Sequence, residues 1–267
     1  MSTIASTDQT FEHLFDPISL GGLNAKAAML ERLDNKYVVE IATLRHAAES
    51  LATQFDVLEI DGRRAFTYET CYFDDDGWQS YFDHHQGRRR RAKVRIRRYV
   101  EASLCFLEVK LKDKRGVTVK KRFAHDLAMF GHLDATALGH IEDAYRDLYG
   151  LTFPYALSRV IDMRYRRMTL VAKEGGERMT IDSGLRFFTP EAAHAVDSHL
   201  FIVETKSANG NGMADRVLRA LHQHPTKHCS KYCMGVALLN EGTKHNRFLP
   251  ALRKLGGMRP GPAMAVA

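Results

Sequence analysis

No apolar run in this 267-residue chain approaches the ~20 residues that a membrane-crossing helix needs, so no helical span is expected. The N-terminus lacks a basic start followed by an apolar core, so no signal peptide is expected either. Cysteine is scarce: Cys71, Cys105, Cys229 and Cys233 are too few and too irregularly spaced for a disulfide framework, and a reducing, cytoplasmic setting fits. His228, Cys229 and Cys233 lie close together, but no second Cys/His pair stands at zinc-ligand spacing. There is no Walker loop, kinase glycine loop or dinucleotide-binding glycine pattern; Gly21-Gly22 is an isolated pair. The acids Asp74, Asp75 and Asp76 lack the rest of an EF-hand loop, and the Ser and His residues show no spacing that selects a nucleophilic triad. No internal repeat or low-complexity linker divides the chain. One domain over residues 28–250 is expected, with a lead-in at 1–27 and a flexible tail at 251–267.

Positive charge is what the chain has in excess. Lys and Arg number 39 against 32 Asp and Glu, for a net charge of +7 and a pI near 9.2. Such a balance implies an anionic partner; nucleic acid, phosphate compounds and an acidic membrane surface all fit. A hydrophobic content of 45% is enough to build a real core.

The charge is patterned. At residues 93–99 Lys93, Arg95 and Arg97 alternate with Val94 and Ile96, and at 106–112 Glu108, Lys110 and Lys112 alternate with Leu107, Val109 and Leu111. Period two is the strand signature, so these runs read as a β-hairpin with one aliphatic and one cationic face. Similar alternation places Arg32, Asp34 and Lys36 on one strand face, Lys120 and Arg122 on another, then Arg178, Thr180 and Asp182, and finally Ile202, Glu204 and Lys206. Residues 155–172 read as mostly extended and carry Arg159, Arg164, Arg166 and Arg167; residues 226–239 hold Lys227 and Lys231 and then read as an apolar strand. Amphipathic helices are expected at 43–54, 134–148 and 213–223.

A solvated sheet face explains one such row; at least six call for more. Neighbouring cations ~4 Å apart repel by roughly 4 kcal/mol at an effective dielectric of 20, so an enclosed row needs an anion rich in oxygens. The expected fold is therefore α+β: a closed antiparallel β-tunnel with a charged interior, flanked by α-helices. Arginines fork onto phosphate oxygens, lysines act as point charges, and a few carboxylates hold a divalent metal through oxygen. That equipment suits phosphoryl transfer, which needs charge neutralisation and in-line positioning more than a protein nucleophile. The run of arginines at 88–91 reads as a solvated rim.

Nine segments in order carry a family resemblance: RLDNKYVV at 32–39, YETCYFD at 68–74, KVRIRRY at 93–99, FLEVKLK at 106–112, VKKRF at 119–123, YRR at 165–167, RMTID at 178–182, FIVETKS at 201–207 and SKY at 230–232. Together they resemble the polyphosphate polymerase (VTC) domain of the triphosphate tunnel metalloenzymes, a CYTH-like superfamily, over about residues 28–240. The resemblance implies an eight-stranded antiparallel tunnel that binds ATP and polyphosphate or triphosphate. In its polymerase members the γ-phosphoryl group of ATP is added to a growing chain, with Mn²⁺ or Mg²⁺ as the metal. Carried over by motif, Arg95, Arg97, Lys110 and Glu204 would be catalytic. By the same motifs Lys36, Arg167, Arg178, Lys206 and Lys231 would join these cations in holding phosphate; Lys120 and Arg122 are added from strand alternation alone, and a one-residue slip in register would turn them outward. Glu204 would ligate metal by the resemblance; Glu108, from its place among the basic residues, is a second metal candidate or, in the favoured reading, a salt-bridge partner. The wider superfamily opens with two glutamates and a lysine at alternate positions, where this chain has Arg32, Asp34 and Lys36. A tunnel hydrolase acting on triphosphate or nucleoside triphosphates, and a non-catalytic polyphosphate binder, are the competing functions. Nucleic acid is disfavoured because aromatic residues do not interleave with the basic rows in sequence.

Overall fold

A computed structural model describes residues 11–26, 33–240 and 242–256. Arg32, the first charged position of the expected entrance strand, lies outside them, as does most of the expected C-terminal tail. The chain forms two compact units, each built from non-contiguous segments.

The first unit takes residues 1–66, 166–184 and 196–229. Its ladder sets β2 (Leu33–Glu40) antiparallel to β11 (Leu200–Ser207), which pairs in turn with the start of β9 (Arg178–Phe188). β3 (Phe55–Leu58) pairs antiparallel with the end of β8 (Ser158–Ala172) and parallel with β1 (Asp16–Ile18). Alternation divides these strands into two faces. Tyr37, Val39, Val203, Met179, Ile181 and Leu170 are buried against α2 (Ile41–Ala52) and α5 (Met213–Ala220). Leu44, Ala47, Ala48 and Leu51 recur at helical spacing on the inner side of α2. Asp215 fixes the start of α5: its carboxylate accepts from Tyr37 Oη (2.6 Å), Thr205 Oγ1 (2.7 Å) and Asn35 Nδ2 (2.9 Å).

The second unit takes residues 67–165, 185–195 and 230–267. Here β4 (Ala65–Asp74), β5 (Ala92–Tyr99), β6 (Leu104–Lys112) and β7 (Thr118–Ala124) pair antiparallel in succession. Their apolar face, with Phe73, Val94, Ile96, Leu107 and Val109, packs on Ala137, Ile141, Ala144 and Tyr145 of α4 (Ala135–Tyr149). Asp134 caps α4 by accepting from Ala137 N at 2.7 Å, and Gly150 ends it in the left-handed region at φ 67°. The short β10 (Ala193–Ala195) pairs with the end of β9. Two helices complete the unit's frame, α3 (Gln79–Gln86) and α6 (Lys231–Leu239).

Two expectations are corrected here. The fold is α+β with a mainly antiparallel sheet, but the sheet is not a closed eight-stranded barrel. Its ladder path is β2-β11-β9-β8-β4-β5-β6-β7 within an eleven-stranded sheet, and among the described residues no ladder joins β2 to β7. Alternation dictates which side chains share a face; it carries no information on whether the first and last strands meet. The second correction is residues 231–239, which form helix α6 and not an apolar strand. Ser230 caps it by accepting from Cys233 N at 3.4 Å, and after Lys231 the run has no polar residue and is buried throughout 232–237, so no period separates helix from strand.

Candidate phosphate-binding faces

Opposite the apolar face of the second unit lies a lattice fixed by register. Lys93, Lys110 and Lys120 stand in one cross-strand row; Tyr72, Arg95, Glu108 and Arg122 form the next; Thr70, Arg97 and Phe106 form the third. Six cations in these three rows, with Lys112 on the same side of β6 beyond them, thus share the face with Glu108. Glu108 is fully buried and meets three of them: Arg95, Lys120, and Arg97 Nη1 at 3.8 Å. Burial alone would raise the Glu108 carboxyl, but Arg95, Arg97 and Lys120 outweigh it and hold the group far below the usual carboxylate range. Burial pulls the Lys120 ammonium down to about 8, with Glu108 opposing and Arg95 and Arg97 assisting.

Aromatic rings frame the arginines. Tyr72 Oη accepts from Arg95 Nη1 at 3.0 Å, and Arg95 and Arg97 outweigh burial to lower the phenol's pKa. The Arg97 guanidinium lies 5.4 Å from the Tyr68 ring and 6.0 Å from that of Tyr165, and Lys231 Nζ stands 5.2 Å from the same Tyr165 ring. Arg122 sits over Phe106 at 3.6 Å. Aromatic and basic groups therefore do interleave, contrary to the sequence expectation. The rings come from neighbouring strands, where inspection of one strand at a time does not find them.

A second relay positions these groups. Asp74, at the end of β4, accepts from Ser80 N (2.8 Å), Tyr81 N (3.0 Å) and the Tyr232 hydroxyl. The Tyr232 ring lies 5.0 Å from that of Tyr72, so α6, which carries Lys231, is tied to the strand that orients Arg95. Lys93 Nζ donates to Ser230 Oγ at 3.0 Å, which ties β5 to the same helix start. Lys93, Tyr68, Tyr72, Tyr165, Tyr232 and Asp74 were not among the candidate residues. The alternation of Tyr68, Thr70, Tyr72 and Asp74 along β4 is a usable signal for three of them, Tyr68, Tyr72 and Asp74.

The first unit holds the other candidates. Glu204 is opposite Lys36 on β2 and Thr180 on β9; Lys206 is opposite Asp34 and Arg178. Glu204 Oε1 lies 2.7 Å from Lys206 Nζ and Oε2 lies 3.7 Å from Lys36 Nζ. Burial would raise the Glu204 carboxyl, but Lys36, Lys206 and Arg167 hold it well below its ordinary value. Arg167 clamps Asp182 through two bonds, Nε to Oδ1 at 2.6 Å and Nη2 to Oδ2 at 2.8 Å. This face is nearly balanced, with Lys36, Arg167, Arg178 and Lys206 against Asp34, Asp182 and Glu204.

Among the described residues no group of three or more His, Cys, Asp or Glu side chains can hold a metal. A self-sufficient protein cage is therefore not built there. The donor chemistry fits a different arrangement: Mg²⁺-like ions are commonly held by one or two carboxylates with phosphate oxygens and water completing the shell. Both candidate carboxylates are engaged by cations: Glu108 by Arg95 and Lys120, one at each oxygen, and Glu204 by Lys206 at Oε1 and, at the longer distance of 3.7 Å, by Lys36 at Oε2. Among the described residues no helix is long and apolar enough to cross a membrane.

The model of the VTC domain family matches residues 31–240, and the chain belongs to that family. No curated protein matches it. Among solved structures, a Hippeastrum protein described as a candidate adenylyl cyclase with a dominant triphosphatase activity is 13% identical, with a TM-score of 0.48 over 80% of this chain and 100% of its own. A candidate adenylate cyclase from Bacillus halodurans is 15% identical, with a TM-score of 0.46 over 74% of this chain and 94% of its own. A Pyrococcus horikoshii protein is 11% identical, at 0.42 over 76% and 95%. These are distant likenesses.

Proposed function

We propose that this protein is a metal-dependent polyphosphate polymerase that transfers the γ-phosphoryl group of ATP to a polyphosphate chain. The observation that carries the reading is the second unit's face, where Lys93, Arg95, Arg97, Lys110, Lys120 and Arg122 share the side of a single buried carboxylate, Glu108, that pairs with three of them. Charge of that density is stabilised by a ligand with many anionic oxygens, and polyphosphate or triphosphate has the required chemistry. Membership of the VTC family supports the same ligand class.

In the reaction the bond between the γ-phosphorus and the β–γ bridging oxygen breaks, and ADP leaves with that electron pair. A terminal oxygen of the chain, already anionic, forms the new P–O bond, so no protein base is needed. Arg95 and Arg97 are rigid donors for the equatorial oxygens: Glu108 and Tyr72 fix the first, and Thr70 Oγ1 accepts from Arg97 Nε at 3.3 Å. Lys93, Lys110 and Lys120 add point charges. Lys36, Lys206, Arg167 and Arg178 serve phosphate in the first unit, where Glu204 would hold the divalent metal. When bound, Mg²⁺ or Mn²⁺ supplies charge neutralisation of phosphate oxygens. Purified protein with ATP and Mn²⁺ is expected to yield ADP and phosphate chains resolvable by gel. Release of inorganic phosphate or pyrophosphate without chains would instead make it a hydrolase.

A further inference from the structure

Residues 87–91, one glycine and four arginines, join α3 to β5 and stand outside the faces described above. Gly87 takes the left-handed conformation at φ 73°, and its open side receives Arg247: a Cβ there would fall 2.7 Å from Arg247 Nη1. The same Nη1 donates to the His85 carbonyl at 2.9 Å, which pins a fifth arginine against the run. Arg91 Nη1 donates to the Arg88 carbonyl at 2.6 Å, and Arg88 Nε donates to Gln86 Oε1 at 2.9 Å. These bonds set the loop's shape without neutralising it. Among the described residues no carboxylate pairs with any of Arg88, Arg89, Arg90 or Arg91. Asp83, on the preceding helix, is engaged by Tyr155 Oη at 2.6 Å and Gln79 Nε2 at 3.0 Å. Arg91 Nε is buried without a partner.

The run leads straight onto the cationic row of β5. Arg88, Arg89 and Arg90 are exposed, Lys93 is half-buried, and Arg95 and Arg97 are 8% and 5% exposed. Successive same-face side chains on a strand stand about 6.6–6.8 Å apart. His84 lies near both groups of charges: burial, then Lys93, with Arg91 and Lys112 adding less, hold its imidazole well below the usual histidine range against a hydrogen bond to the Ser80 carbonyl. Residues 87–91 contain no aromatic platform on which bases would stack, which separates this surface from a single-strand nucleic-acid site.

We infer that Arg88, Arg89, Arg90 and Arg91, with Arg247, form an outer landing surface for the part of a linear polyphosphate chain that extends past the phosphate-binding face of β5. This rests on the polyphosphate reading above. The test uses the full chain and the exposed triple variant R88A/R89A/R90A, titrated with tripolyphosphate and with polyphosphate tens of units long. Tripolyphosphate affinity is expected to stay within about twofold, while long-chain affinity falls about tenfold. The slope of log affinity against log salt for the long chain should drop by roughly one per arginine removed. Equal weakening of both ligands, or no change in either, overturns the inference. So does loss of affinity for a single-stranded oligonucleotide with long-chain binding intact. If the unsubstituted protein binds neither phosphate ligand, the functional reading itself has failed, and that result is seen before any variant is made.

Discussion

Glu108→Gln tests whether the second unit is built around an anion. The side chain is fully buried and is the one carboxylate in the cationic lattice. Glutamine keeps its shape but leaves the buried Arg95 and Arg97, and the more accessible Lys120, without a compensating charge. Removing one partner of a buried charged group costs about 3–5 kcal/mol. The low end applies because glutamine retains one acceptor oxygen and Lys120 reaches solvent, so about 3 kcal/mol is expected. In a chain of this size that lowers Tm by about 6–12 °C. Tripolyphosphate oxygens can take the place of the missing carboxylate, so the ligand should stabilise the variant more than the native protein. Tenfold tighter binding would add about 1.4 kcal/mol at saturating ligand. Native Glu108, with its pKa depressed, contributes stability that is complete above its ordinary value of 4.5 and is lost as pH falls below it. The variant's stability should therefore vary less with pH in acid. Thermal unfolding of both proteins, with and without tripolyphosphate and across pH 3–7, measures all three effects (~1 °C precision suffices for shifts of this size). An unchanged Tm, or equal ligand increments in the two proteins, would refute the reasoning.

Glu204→Gln should abolish turnover of ATP with Mn²⁺ while polyphosphate binding persists, and a variant as active as the native protein would remove Glu204 from the reaction. Phosphate binding favours the charged form of Lys120, whose pKa is about 8, so affinity should fall as pH rises through that value. Calorimetry near that pH in buffers of different ionisation enthalpy should show proton uptake on binding, and Lys120→Arg should remove both effects. Gly235→Ala would put a Cβ 2.5 Å from Phe187 Cδ1 and 2.6 Å from Ile161 Cδ1 within a packed core, at a cost of about 1–3 kcal/mol. Native-like denaturant midpoints for that variant would show that the helix can shift to make room.

The charged faces were legible because strand alternation assigns each residue to a side independently of what the strand pairs with. Lys36, Glu204 and Lys206 share a face, as do Arg95, Arg97, Glu108 and Lys110, in the register that the alternation implies. Closure of the sheet was not legible, since it depends on a ladder between distant strands. The helical state of residues 231–239 was hidden by their uniform apolarity. The aromatic frame of Tyr68, Tyr165 and Phe106 around the arginines was hidden for another reason: each ring belongs to a different strand, and only pairing brings it to the guanidinium it faces. The difference in surroundings between Glu108 and Glu204 likewise needed coordinates. In sequence both alternate with basic residues, yet one is surrounded by three cations while the other meets two lysines at the strand pair that also bears Asp34.

The bond from Tyr232 to Asp74 makes a carboxylate away from the cationic lattice a control point for two cations at once. A search for inactive variants by random mutagenesis should return Asp74 substitutions alongside those of Arg95 and Lys231. Such variants would present their guanidinium and ammonium groups at slightly wrong angles and would also lose stability, because Asp74 accepts from Ser80 N and Tyr81 N inside the core. Restoring a hydrogen-bond acceptor there, as asparagine does, should rescue more activity than any increase in substrate concentration.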